Sequence, residues 1–208
     1  MSAVIEATPL NVCLSLVVTY VLGALPFAVW IGRLKGVDPR KRGSKNPGAS
    51  NVARTIGVKW GLLTLFFDGL KGFVAVTLIF RFTAHDPEAW LSRELWGALT
   101  GLMAVLGHCS SPFLGFKGGR GVATTGGGLL ALHPGLGLLC SLGWLLALMV
   151  TQRPAWASLI LCAVMLLLSQ AQGVSEATQL FAILSAVVIV LRHWTHLVKL
   201  LSGRSRRG

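Results

Sequence analysis

Acidic residues are nearly missing from this sequence: seven aspartates and glutamates stand against nineteen lysines and arginines in 208 residues. Charged residues of both signs make up only 12%, too thin a coat for an ordinary soluble domain. Long polar linkers are lacking as well, so residues 1–208 read as one integral domain. Cys13, Cys109, Cys140 and Cys162 show no C-x-x-C pair and no metal-ligand spacing, and they fall in or beside apolar segments. They read as packing residues, and neither a metal nor a cofactor is expected. A basic run before the first apolar segment is also lacking, Glu6 being the only charge there. That segment therefore reads as a retained helix and not a cleaved signal peptide.

What is abundant is apolar: 53% of the chain is hydrophobic, in runs near the roughly 20 residues that span a bilayer. The expected fold is all-α, a polytopic integral membrane helix bundle of about seven spans, at about residues 9–31, 60–80, 95–113, 122–133, 135–150, 156–172 and 177–191. The fourth run is short, and the His133-Pro134-Gly135 turn makes the fourth and fifth a re-entrant or thin hairpin candidate, so the count ranges from five to seven. The net charge of +12 could suggest nucleic acid, but the charge sits between spans and not on a soluble reading face. Membrane lipids are the expected partners instead.

The placement of charge predicts orientation. With the N-terminus outside and the C-terminus cytoplasmic, the inner segments 32–59, 114–121, 151–155 and 192–208 hold sixteen of the nineteen lysines and arginines. Glu6, Asp86, Glu88, Glu94 and Glu176 fall outside, and Asp38 is the one inner acid.

Two inner loops carry more than charge. In the first, Gly43-Ser44-Lys45-Asn46-Pro47-Gly48-Ala49-Ser50-Asn51 leads to Arg54, mixing glycine with small hydroxyl and amide residues that can converge on an anion. The second, Phe116-Lys117-Gly118-Gly119-Arg120-Gly121, runs straight into a helix near Val122. Glycines there let backbone N–H groups approach closely, the helix N-terminus adds partial positive charge, and the two cations neutralise a dianion. The loop is not a Walker A sequence, so nucleotide binding is not inferred.

Within the membrane segment between the two loops, Asp68 and Lys71 stand at i, i+3 and are expected to pair and to shape the site floor. His108 and His193 are the titrating candidates near the inner face, whereas His85 and His133 read as structural. The segment from Arg192 to Arg204 reads as a short amphipathic helix at the interface, with Arg206 and Arg207 beyond it holding anionic lipid.

These motifs resemble the acyl-phosphate-dependent glycerol-3-phosphate acyltransferase family, the PlsY membrane enzymes of bacterial phospholipid synthesis. The stretch from Gly43 to Arg54 resembles the family's G-S-x-N-x-G-A-[TS]-N-x-x-R loop, and that from Phe116 to Thr124 its F-K-G-G-[KR]-G-V-A-T loop. Leu22-Gly23-Ala24-Leu25-Pro26-Phe27 and Asp68-Gly69-Leu70-Lys71-Gly72 are also similar to family segments. The third motif departs: His193 matches the family's histidine, but His196 stands at its asparagine position and Ser205 at its glutamate position, as in a divergent member. The connection from Thr151 to Ser158 follows the family's arginine- and serine-bearing version only in part.

The resemblance implies a bacterial inner-membrane enzyme with its site at the cytoplasmic face. It would transfer a fatty acyl group from acyl phosphate to the sn-1 hydroxyl of glycerol 3-phosphate, giving lysophosphatidic acid and phosphate. Expected catalytic residues are Ser44, Arg54, Lys117 and His193. Lys45, Asn46, Asn51, Gly118, Gly119, Arg120 and Gly121 would bind phosphate, and Asp68, Lys71, His108 and His196 would shape the site. With Asp38 the one inner acid, a carboxylate base is not expected, leaving His193, His108 or a phosphate oxygen to take the proton. The alternatives are a low-activity homologue, or a transporter or lipid-handling protein that binds phosphate esters. The transporter would call for paired halves with broken helices, and no such repeat is visible.

Overall fold

Proline and capping residues punctuate the apolar runs. Thr8 opens α1 (Pro9–Ala24) by accepting from the Asn11 N–H at 3.2 Å, with Pro9 in the first turn. Pro26 has no N–H to donate and splits the first run into α1 and α2 (Phe27–Leu34). The computed structural model describes residues 5–83 and 89–201, without the side chains of residues 195–197 and 199–201. His85, Asp86, Glu88, Arg204, Ser205, Arg206 and Arg207 lie outside the described residues.

The chain continues through α3 (Ala49–Thr55), α4 (Val58–Phe82), α5 (Arg93–Cys109), α6 (Val122–Leu132), α7 (Pro134–Thr151), α8 (Pro154–Ala171) and α9 (Glu176–Leu201). Apart from one bridge between Ile5 and Thr83, the described residues hold no β-structure. Among the described residues, six segments are long and apolar enough to cross a membrane, α1 and α2 counting together as one. The seventh, α6, has 11 residues and is about 16 Å long, roughly half a hydrocarbon core. It carries the chain away from the basic loops as far as His133, where Pro134 starts the longer α7 back.

Lipid supplies little hydrophobic drive between helices, so close backbone approach does much of the holding. A Cβ at Gly72 would collide with the Thr124 carbonyl, and one at Gly127 with that of Gly69, so α4 and α6 touch backbone to backbone. The buried apolar core, with Phe181, Leu129, Leu136, Met165 and Ile189, lies among α5 to α9. Leucines, valines and phenylalanines such as Val17, Phe66, Leu146 and Leu167 point outward, as a lipid-facing surface requires.

Two expectations need correction. The segment expected as a separate interfacial helix after Arg192 is the continuous end of α9, because no glycine or proline interrupts the chain from Glu176 to Leu201. The first basic loop is not wholly irregular either: it folds into α3, whose Ala53 fits against Gly61 of α4 with no room for a side chain there.

Candidate active site

The first loop is built around one amide. Asn51 is 2% exposed; its Oδ1 accepts the Ser44 N–H at 2.9 Å, and its Nδ2 donates to the carbonyls of Pro39 at 2.7 Å and Arg42 at 3.1 Å. Expected as a phosphate ligand, Asn51 instead has its side chain committed to shaping the loop. That shape turns Ser44, Asn46 and Arg54 towards a cavity and leaves Lys45, at φ 59°, exposed and off its wall.

The cavity measures about 350 Å³, and four basic stretches of sequence contribute to its wall beside Leu65 and Asp68 of α4, His108 of α5 and Trp144 of α7. Ser44, Asn46 and Arg54 come from the first loop; Arg120, Gly121, Val122 and Ala123 from the second; Arg153 and Ser158 from the α7–α8 connection; and His193 from α9. All four basic segments therefore meet at one end of the bundle. Lys117, expected as a catalytic cation, is exposed and not on the wall. The 3-10 turn Pro112–Leu114 and the left-handed Gly115 and Phe116 end the preceding chain so that Arg120, not Lys117, enters the cavity.

Two more arginines, one on the wall and one behind it, crowd Arg120. Burial lowers the Arg120 pKa, and Arg192 and Arg54 push it lower still, which places both guanidinium groups within electrostatic reach of it. Such a cluster is costly without an anion to gather around. No carboxylate from the loops offsets it. Asp38 is gripped by Arg40 through bonds of 3.0 and 2.8 Å, which lowers its pKa to about 2.

The backbone cradle differs from expectation too. Gly118 and Gly119 donate their amides to the Cys109 and His108 carbonyls at 3.1 and 2.9 Å, so they cap α5 and cannot hold a phosphate. The donors that remain at the cavity wall are those of Arg120, Gly121, Val122 and Ala123, at the start of α6.

An acid does reach the cavity, from inside the membrane. Asp68 is about 15 Å along α4 and lines the cavity floor with His108. Its Oδ1 takes the Lys71 ammonium at 2.8 Å and faces His108 Nδ1 at 3.5 Å. Lys71 also lies 5.1 Å over the Phe27 ring and is not on this wall. His193 is 1% exposed, and its Nδ1 donates to the Ile189 carbonyl at 2.8 Å, which fixes the ring against the wall. His196 lies on α9 with its side chain outside the description.

Two features escaped the sequence. Arg153 is the single basic residue of the inner segment 151–155, and only the partial match of the connection from Thr151 to Ser158 marks it and Ser158. The second is a groove of about 470 Å³ that continues from the cavity, with Leu65, Val122, Ala123 and Trp144 common to both walls. Beyond them it is almost wholly apolar, running past Gly69, Phe73, Gly126 and Leu130 between α4, α6 and α7. Trp144 is steadied at the junction by its indole N–H, 3.4 Å from the Ser158 hydroxyl.

Residues 13–203 match the family model described as glycerol-3-phosphate acyltransferase. Over 201 residues the chain is 38% identical to "Glycerol-3-phosphate acyltransferase 1" of Deinococcus radiodurans, covering 95% of this chain and 96% of that protein. It is 36% identical over 188 residues to the glycerol-3-phosphate acyltransferase of Aquifex aeolicus, covering 90% and 94%. Crystal structures of PlsY (YgiH), an integral membrane glycerol 3-phosphate acyltransferase, in its glycerol 3-phosphate and lysophosphatidic acid forms each superpose with a TM-score of 0.82 at 34% identity. The first covers 95% of this chain and 96% of that one, the second 95% of both.

Proposed function

The chain belongs to the glycerol-3-phosphate acyltransferase family, and on that premise we propose how its cavity and groove carry out the transfer. The protein is a membrane glycerol-3-phosphate acyltransferase. In this reading its donor is an acyl phosphate, and the whole chain acts as one integral unit in a bacterial inner membrane. The cavity opens to the cytoplasm, the side on which sixteen of nineteen lysines and arginines fall.

The observation that carries the reading is the junction of a cationic cavity with an apolar groove. An acyl phosphate has those two halves, an anionic head and an aliphatic tail, and its reactive carbonyl would lie where they meet, near Trp144 and Val122. Glycerol 3-phosphate brings a second phosphate into the same cavity. Two such anions repel each other, and the barrier to bringing them together falls when fixed cations neutralise both. Arg54, Arg120 and Arg153 serve that role, with Ser44, Asn46 and the first amides of α6 donating hydrogen bonds. His193 orients one substrate against the wall.

The sn-1 hydroxyl oxygen attacks the acyl carbonyl carbon and forms the new ester bond. The bond from that carbon to the phosphate oxygen breaks, and inorganic phosphate leaves, carrying the hydroxyl proton on one of its oxygens. Asp68 is not needed as the base, since its Oδ1 already faces Lys71 and His108. An acyl phosphate has a good leaving group, so positioning and charge neutralisation suffice.

The test is acyl transfer to radiolabelled glycerol 3-phosphate by purified protein in micelles, with acyl phosphate or acyl-CoA as donor. Lysophosphatidic acid is expected with acyl phosphate. Product with acyl-CoA alone, or with neither donor, defeats the reading.

A further inference from the structure

Every backbone polar group of Gly118 and Gly119 is taken up by the protein itself. Their N–H groups donate to the C-terminal carbonyls of α5, at Cys109 and His108. From the opposite side Arg192, on α9, donates from Nη2 to the Gly118 carbonyl at 2.8 Å and from Nε to the Gly119 carbonyl at 3.1 Å. A Cβ at Gly118 would strike the His108 carbonyl, and one at Gly119 the His108 imidazole, so the dipeptide fills its slot.

This dipeptide is where three elements meet. Before it lies the turn out of α5; after it come Arg120 and Gly121, both on the cavity wall, and then α6. Arg192 is followed directly by His193, also on that wall. Successive residues of a helix project about 100° apart. One step along α9 therefore sets the guanidinium behind the loop and the imidazole in front of it. The spacing between His193 and Arg120 is carried through the two carbonyl bonds.

We propose that Arg192 is a positioning residue of this enzyme: its planar fork grips the Gly118 and Gly119 carbonyls and so holds Arg120 and the first α6 amides in register with His193. The proposal rests on the reading of the cavity as the phosphate site. What it requires is the shape of the guanidinium, not its charge. Two N–H donors fixed in one plane can span consecutive carbonyls, whereas a lysine ammonium offers a point charge on a flexible stem. Charge alone would be a poor reason to place Arg192 here, since it opposes the ionisation of Arg120.

Arg192→Lys and Arg192→Ala, in the full-length protein, separate shape from charge. Both are expected to lower kcat/KM for glycerol 3-phosphate by about 10- to 100-fold, as misplacement of a binding group does. Millimolar guanidinium chloride is expected to raise the activity of Arg192→Ala and not that of wild type. Amide hydrogen exchange across residues 118–121 should be slow in wild type and faster in both variants, a readout that needs no turnover. Arg192→Lys working within about twofold of wild type overturns the proposal, because charge then suffices. So does unchanged exchange in the loop, or failure of guanidinium to restore the alanine variant. Wild type that forms no product while its loop exchange depends on Arg192 counts against the phosphate-site reading and leaves the strap standing.

Discussion

Asp68 and Lys71 are paired at 2.8 Å one turn apart on α4, each side chain 3% exposed, in a helix that is otherwise uncharged from Leu62 to Ile79. Removing one member leaves the other charged and buried without its counter-ion, with only His108 beside Asp68 or the Phe27 ring beside Lys71, which costs more than losing the pair as a whole. Asp68→Asn or Lys71→Met should each destabilise the detergent-purified protein by about 3–5 kcal/mol, and the double variant by clearly less than the sum. Thermal unfolding of the three variants measures the coupling. Additive effects would show that the two charges do not depend on each other.

Cavity cations should outweigh loop cations. Arg54→Ala and Arg120→Ala each remove a charge-assisted contact of about 1.5–3 kcal/mol, roughly a 10- to 100-fold fall in kcat/KM for glycerol 3-phosphate. Lys117→Ala, exposed and off the wall, should stay within about twofold. Steady-state kinetics decide it; a Lys117→Ala defect as deep as that of Arg120→Ala would mean that Lys117 turns inward when substrate binds.

The two strap glycines should differ in tolerance. An added methyl at Gly118 meets the backbone of His108 and Cys109, which cannot move without unwinding the end of α5. At Gly119 it meets the His108 imidazole, which can rotate away from Asp68. Gly119→Ala should cost about 1–3 kcal/mol, the usual range for overpacking, and Gly118→Ala more. The order of their melting temperatures is the check, and a reversed order would contradict the geometry.

Chain-length selection should reside in α6. A Cβ at Gly126 comes only within 3.7 Å of the Ser141 hydroxyl, so alanine fits there, while leucine would project into the groove. Gly126→Leu should shift the kcat/KM ratio of lauroyl to stearoyl phosphate at least about tenfold towards lauroyl, the loss of one or two buried methylene contacts. Gly127→Ala should instead damage α4–α6 packing, because its methyl strikes the Gly69 carbonyl. An unchanged ratio in Gly126→Leu would mean that the tail lies elsewhere.

The sequence by itself determined the bundle and the gathering of its basic loops at one end. Apolar run length reports burial in lipid one segment at a time, and the clustering of lysine and arginine between segments marks a common face. Both are local properties, readable without contacts. The glycine-rich basic loops were legible for the same reason.

Which groups in those loops face the cavity was decided by tertiary structure. Lys117 and Arg120 are equally basic neighbours in sequence, yet the turn at Gly115 and Phe116 leaves one outside the cavity and puts the other on its wall. Gly118 and Gly119 look like phosphate donors until their amides are found on α5 and their carbonyls on Arg192, more than seventy positions away. Asp68 reads as a mid-membrane charge, but α6 is short enough for the cavity to reach it. Hydrogen-bond partners are set by how distant helices cross, and no local periodicity encodes a partner that lies on another helix.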